Sequence, residues 1–123
     1  MRERADGRCE YCRRPEATGF HAYHVEHILP RIHRGSSELD NLAWSCSECN
    51  IRKGTNLGDY DPETGILTPL FNPRMQAWND HFKLNGFFLR GTTPTGRVTI
   101  QVLQLNAPNQ IKQRQLLIEA NLW

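Results

Sequence analysis

An α+β domain is the fold class that this 123-residue sequence predicts, and two observations predict it. Four cysteines fall into two close pairs, Cys9-Glu-Tyr-Cys12 and Cys46-Ser-Glu-Cys49. The segment leading into and out of the second pair reads in the order strand, long loop, strand, helix. Arg2 to Gly7 suits a short helix leading into the first pair, and Phe20 to Glu26 reads as a strand that ends at His24-Val-Glu-His27. Pro30 then opens an irregular segment, PRIHRGSSELDN, whose Gly, Ser and Asp content marks a loop. Leu42 to Ser45 is the next strand, and SECNIRKG follows as a short helix closed by Gly54, with Arg52 and Lys53 in its last turn.

The second half reads as a hairpin followed by helices. Asp-Pro-Glu-Thr-Gly at 61–65 is a turn signal between GDY and ILTPLF, with Pro62 and Gly65 placed for a β-hairpin. Met75, Trp78 and Phe82 recur at helical spacing and predict a helix over Arg74 to Leu84, facing the core. Thr93-Pro94 suits an N-cap followed by proline at the first helical position, so a helix is expected through Leu105. Val98, Ile100 and Val102 alternate as in a strand, but the cap favours the helix. Asn106, Ala107 and Pro108 break it, and a last helix reaches Leu122 with Ile111, Ile118 and Leu122 on one face. The expected organisation is one domain, with a stapled unit over 1–56 and an extension over 57–123 packed on it.

Composition narrows the function classes only slightly. Lysine and arginine total 15 against 13 acidic residues, so the formal charge of +2 does not by itself indicate a nucleic-acid partner. No apolar run approaches the length needed to cross a bilayer, and MRERADGRCE lacks the apolar centre of a signal peptide. A cytoplasmic protein without a membrane partner is the expectation.

In a reducing compartment two C-x-x-C knuckles suit four thiolates around tetrahedral zinc, because two intervening residues let both sulfurs of a knuckle face one ion. Two disulfides would need an oxidising compartment. A thioredoxin-like redox motif needs one pair only. With Cys9, Cys12, Cys46 and Cys49 filling every position, the zinc is expected to be structural rather than catalytic.

The run from His24 to Gly54, HVEHILPRIHRGSSELDNLAWSCSECNIRKG, resembles the HNH endonuclease motif, a ββα-metal fold, in its zinc-stapled branch. The signature is an acidic residue followed by histidine, a central asparagine on the loop, and an asparagine or histidine on the helix, here Glu26-His27, Asn41 and Asn50. DPETG, PLFNPR, WNDHF and TPTGRVTIQVLQLN resemble the C-terminal extension of a subgroup of small bacterial HNH proteins. Arg34 departs from the pattern, since it stands where the family often has a second glycine before Gly35.

The resemblance implies a phosphodiester hydrolase acting on DNA with one divalent ion, Mg²⁺ or another, and no organic cofactor. Hydrolysis needs a water, a proton acceptor, and positive charge at the phosphoryl oxygens. His27 takes the base role, as a largely neutral imidazole. Glu26 and Asn50 offer the hard oxygen ligands that suit Mg²⁺, and Asn41 is expected to orient the base. Arg31, Arg34, Arg52 and Lys53 fall on the loop or the helix end, where phosphate contact competes with plain solvation. Lys53 matches the family's basic position. His24 is either a supporting ligand or a hydrogen-bonded structural imidazole, His33 either solvated or phosphate-facing, and His21 and His81 structural. The competing reading is a non-catalytic zinc-knuckle module that binds nucleic acid through the same basic loop.

Overall fold

The computed structural model describes residues 1–16 and 22–123. Part of the first expected strand, at Phe20 and His21, therefore lies outside the described residues. From His24 onward the chain takes the expected order: β1 (His24–His27), a loop with 3-10 turns at Arg31–His33 and Leu39–Asn41, β2 (Leu42–Ser45), and α1 (Ser47–Lys53). The strands pair antiparallel, His24 opposite Ser45, Glu26 opposite Ala43 and His27 opposite Leu42. Alternation along the pair sends Glu26, Ala43 and Ser45 inward, where all three are buried. The residues before the first knuckle form successive turns rather than a helix, with Ala5 and Gly7 amides bonded to the Met1 and Arg2 carbonyls.

Among the described residues three short sheets of two strands each succeed one another along the chain. In the second, β3 (Gly58–Tyr60) pairs with β4 (Leu67–Pro69) as the turn signal predicts. Asp61 holds that turn together. Its carboxylate accepts from the Glu63 amide at 3.3 Å and the Thr64 hydroxyl at 2.9 Å, and takes two bonds of 2.9 Å from Arg97. A carboxylate gripped by a two-pronged guanidinium is a strong, geometrically specific bond.

The helix expected over Arg74 to Leu84 does not form. Asn72 ties up the start of that segment, its side chain accepting from the Arg74 amide at 2.9 Å. Ala77 is extended, a 3-10 turn covers Trp78–Asp80, and β5 (Phe82–Asn85) pairs with β6 (Phe88–Gly91). Met75 is left 82 % exposed, while Trp78 stacks on Phe82 at 4.9 Å between ring centres. The local signal that outweighs the apolar spacing is the two-residue turn at Gly86-Phe87, where glycine at φ 63° occupies the first position.

Next comes α2 (Pro94–Leu103), a helix as expected, with the Thr93 hydroxyl accepting from the Gly96 amide at 3.1 Å and Pro94 in the first turn. α3 (Pro108–Glu119) ends short of Leu122, which is half exposed. Its buried residues are Gln110 and Arg114, so a polar side of the helix faces inward and its apolar residues are at best partly covered. Arg114 donates to the carbonyls of Phe87 and Leu105, both at 2.7 Å. One buried cluster runs from Cys9, Cys12, Cys46 and Cys49 through Phe71, Phe82 and Leu89 to Val98, Leu103 and Leu105, so the extension and the cysteine-bearing unit share a core.

Bonding to Arg97 and Thr64 holds the Asp61 carboxyl well below the ordinary carboxylate range, against the opposing effect of its burial. A depressed folded value means that the stabilisation is complete above the unfolded value of about 3.9 and is lost as pH falls through the folded one. Asp61→Asn is expected to lower the melting temperature at pH 7, with the difference from wild type narrowing in acid below about pH 4. Equal melting temperatures at pH 7 would show that the turn does not depend on this pair.

Candidate metal centre and active-site face

Four sulfur atoms, from Cys9, Cys12, Cys46 and Cys49, lie within 4.8 Å of one another, and all four residues are buried. The Cys12 and Cys46 sulfurs are 3.9 Å apart. Zinc–sulfur bonds of about 2.3 Å in a tetrahedron require sulfur separations of about 3.8 Å, so the donor set fits zinc. Burial pushes the Cys9 thiol up, but hydrogen bonds from Cys12, Cys46 and Cys49 outweigh it and hold Cys9 well below the usual range. The Cys46 sulfur also caps α1, accepting from the Cys49 amide at 3.4 Å, so the second knuckle is the first turn of the helix.

This placement fixes the helix against β1. Ser47 meets His24, hydroxyl to imidazole at 3.2 Å, and Asn50 and Lys53 succeed it at three-residue steps along the same helix face. Lys53, expected at a phosphate-facing surface, is buried instead. Its ammonium donates to Glu26 Oε1 at 2.7 Å and to the carbonyls of His27 and Ile28 at 3.1 and 2.9 Å. The other carboxylate oxygen of Glu26 accepts from the Tyr11 hydroxyl at 2.7 Å. Tyr11 lies between the cysteines of the first knuckle, and no pattern in the sequence points to it as the partner of Glu26.

The pairing bears directly on a second metal. A hard dication is held by carboxylate oxygens, and Glu26 already carries an ammonium on one oxygen and a phenol on the other. In this arrangement a dication at Glu26 would have to compete with Lys53 for the carboxylate. Asn50, half-buried on α1, stands one turn before Lys53 and so beside that neutralised pair.

His27 stands apart from this pair. It ends β1, partly exposed, on the opposite side of the strand from Glu26, and its Nε2 lies 3.0 Å from the Ser37 hydroxyl. Asn41 does not orient it. The Asn41 side-chain oxygen Oδ1 accepts from the Leu29 amide at 2.8 Å, and its side-chain Nδ2 donates to the carbonyls of Leu29 and Ser36 at 3.0 and 2.7 Å. Asn41 thus staples the two ends of the loop, and Ser37 is the side chain that holds the imidazole. Gly35 is needed for this closure, since a Cβ there would lie 1.7 Å from the Leu29 carbonyl oxygen. Arg34 takes φ 69°, the left-handed conformation that a glycine would adopt without strain.

Of the basic residues expected at phosphates, Arg31 and Arg34 are exposed on the loop, and Arg52 is partly buried with its guanidinium bonded to the Gln104 side chain. His33 is exposed. His81 is structural as expected, bonded to the Thr93 hydroxyl at 2.6 Å and packed on Phe71, but it stands at the end of a 3-10 turn rather than within a helix.

Removing either partner of the buried pair leaves a charge without compensation. Glu26→Gln and Lys53→Met are each expected to lower unfolding stability by about 3–5 kcal/mol, and the double variant to recover part of the loss. Urea denaturation checks this; additive losses in the double variant would show that the two residues are not coupled.

Residues 9–56 match the HNH endonuclease family. The chain is also similar to the Septu protein PtuB of Bacillus thuringiensis, 31% identical over an alignment of 120 positions that covers 94% of this chain and 43% of that protein. It thus spans less than half the length of that relative. No solved structure gives a significant match. Among the described residues no helix is long and apolar enough to cross a membrane. Strand, asparagine-stapled loop, strand and cysteine-capped helix, lying within the matched stretch, identify residues 9–56 as an HNH endonuclease unit.

Proposed function

We propose that this chain is a divalent-ion-dependent endonuclease that hydrolyses phosphodiester bonds in DNA, with His27 as the group that takes the proton from the attacking water. The observation that carries the reading is the position of His27 within the matched HNH unit. It is partly exposed at the end of β1, with one ring nitrogen on the Ser37 hydroxyl. A general base must be within reach of the proton it takes, and the partial exposure of this imidazole, with its ring held on Ser37, supports that role. Arg31 and Arg34, exposed on the loop after His27, are available to meet the phosphates of the strand being cut.

The neutralised state of Glu26 favours a second reading, a nucleic-acid-binding unit without catalysis. A carboxylate locked to Lys53 serves folding whether or not the protein cuts DNA. His27→Ala separates the two, because His27 takes no part in the thiol cluster and its side chain none in the Glu26–Lys53 pair.

Loss of a general base typically costs ~10²–10⁴-fold in rate. His27→Ala is therefore expected to abolish nicking of supercoiled plasmid in Mg²⁺ while keeping zinc content and the far-UV circular dichroism of the wild type. Cleavage by the folded variant at near wild-type rate would defeat the proposal and restore the binding reading. Ser37→Ala is expected to cost less, since a less well held ring still reaches the water part of the time.

A further inference from the structure

Behind the first cysteine knuckle lies a cleft of about 650 Å³ that neither the thiol cluster nor the His27 face explains, lined by Asp6, Arg8, Arg13, Trp78, Lys83 and Trp123 among others. Arg8 precedes Cys9 and Arg13 follows Cys12, so the knuckle that carries half of the thiol cluster also presents two guanidinium groups to one space. Arg13 is held there by its backbone and by its ring contact: φ is 70°, its carbonyl accepts from Arg8 Nη1 at 3.0 Å, and its guanidinium lies 5.8 Å over the Trp78 ring. Trp78 in turn is fixed by stacking on Phe82 and by donating to the Tyr11 carbonyl at 2.8 Å.

Neither arginine has a carboxylate within ion-pair distance among the described residues, although Arg2, Arg14 and Arg74 each have one and Arg97 has two. Two like charges gathered beside indole rings, with an exposed lysine at the edge, form a place where a bound anion relieves repulsion. The volume falls in the range of small-ligand sites, and the lining combines cations with aromatic surface.

We propose that this cleft binds an unpaired nucleotide of a nucleic-acid strand, its phosphate on Arg8, Arg13 and Lys83 and its base against the indole of Trp123, while Trp78, between Phe82 and Arg13, holds the Arg13 guanidinium in place. Stacking on aromatic side chains together with phosphate neutralisation is how single strands are held without base reading. A duplex, with its bases paired inside, does not enter a cleft of this size. The choice of ligand rests on the nuclease reading, and the site would hold a strand away from His27 rather than take part in hydrolysis.

The test is fluorescence anisotropy with a short labelled oligothymidylate, in a His27→Ala background so that cleavage does not enter the measurement. Arg13→Asn with Lys83→Gln removes two charges, asparagine being chosen because it tolerates positive φ. The expected result is binding weakened roughly tenfold or more, with the slope of affinity against salt reduced by about 1.4, or ~0.7 for each charge removed on a single strand. Lys83→Glu alone, at an exposed position, is expected to weaken binding in the same direction without any risk to folding. Unchanged affinity in both variants, a preference of the parent for duplex of the same sequence, or displacement by inorganic phosphate as effective as by the nucleotide would each overturn the proposal. Failure of the nuclease reading shows separately, as wild-type protein that leaves plasmid intact, and does not alter the binding comparison.

Discussion

The convergence of four sulfur atoms is the constraint on which the rest of the molecule depends. Four thiolates could share so small a volume only around a cation, and a zinc ion held there would tie residues 9–12 to the first turn of α1 across the whole of the first half of the chain. Because Cys46 is also the cap of α1, the direction of the helix is set by the cluster rather than by helix propensity, and a helix of seven residues has little stability of its own. Once α1 is fixed, Ser47 meets His24 and Lys53 meets Glu26. The extension leans on the same point: Arg14 after the first knuckle and Glu48 within the second pair with each other and reach Gln113 and Gln110 of α3.

The Glu26–Lys53 pair shows how an HNH unit can carry a charged side chain inward without exposing it. Each group alone in that position would be costly, and together with Tyr11 and two backbone carbonyls they satisfy one another. The consequence for chemistry is a division of the β1 strand by its pleat. One side serves the fold through Glu26, and the other offers His27 to solvent, so the two neighbours in sequence do different work on opposite faces.

Much of the first half was legible in the sequence because the signals there are local and few conformations satisfy them. C-x-x-C spacing dictates the knuckles, and the strand at Leu42–Ser45 and the glycine after Lys53 bound their elements correctly. The Thr93-Pro94 cap outweighed a misleading alternation at Val98, Ile100 and Val102 for the same reason. The misreadings are tertiary in origin. Met75, Trp78 and Phe82 have helical spacing, but Trp78 is drawn to the Tyr11 carbonyl and the Gly86-Phe87 turn claims the segment for a hairpin. Lys53 looks like a surface cation until Glu26 is seen beside it. Asn41 looks like a partner for histidine, yet its amide matches the paired donor and acceptor of Leu29 better than an imidazole. Arg8 and Arg13 are inconspicuous in sequence because their significance lies in the carboxylates they lack.

The most direct test of this account is zinc removal from reduced protein, followed by elemental analysis, circular dichroism and tryptophan fluorescence together. The account predicts one zinc per chain, and on its extraction by a zinc-selective chelator a cooperative loss of helix signal and a change at the tryptophans, both reversed by adding zinc back. Purified reduced protein that contains no zinc, or that keeps its helix signal and fluorescence after the metal is gone, would contradict it.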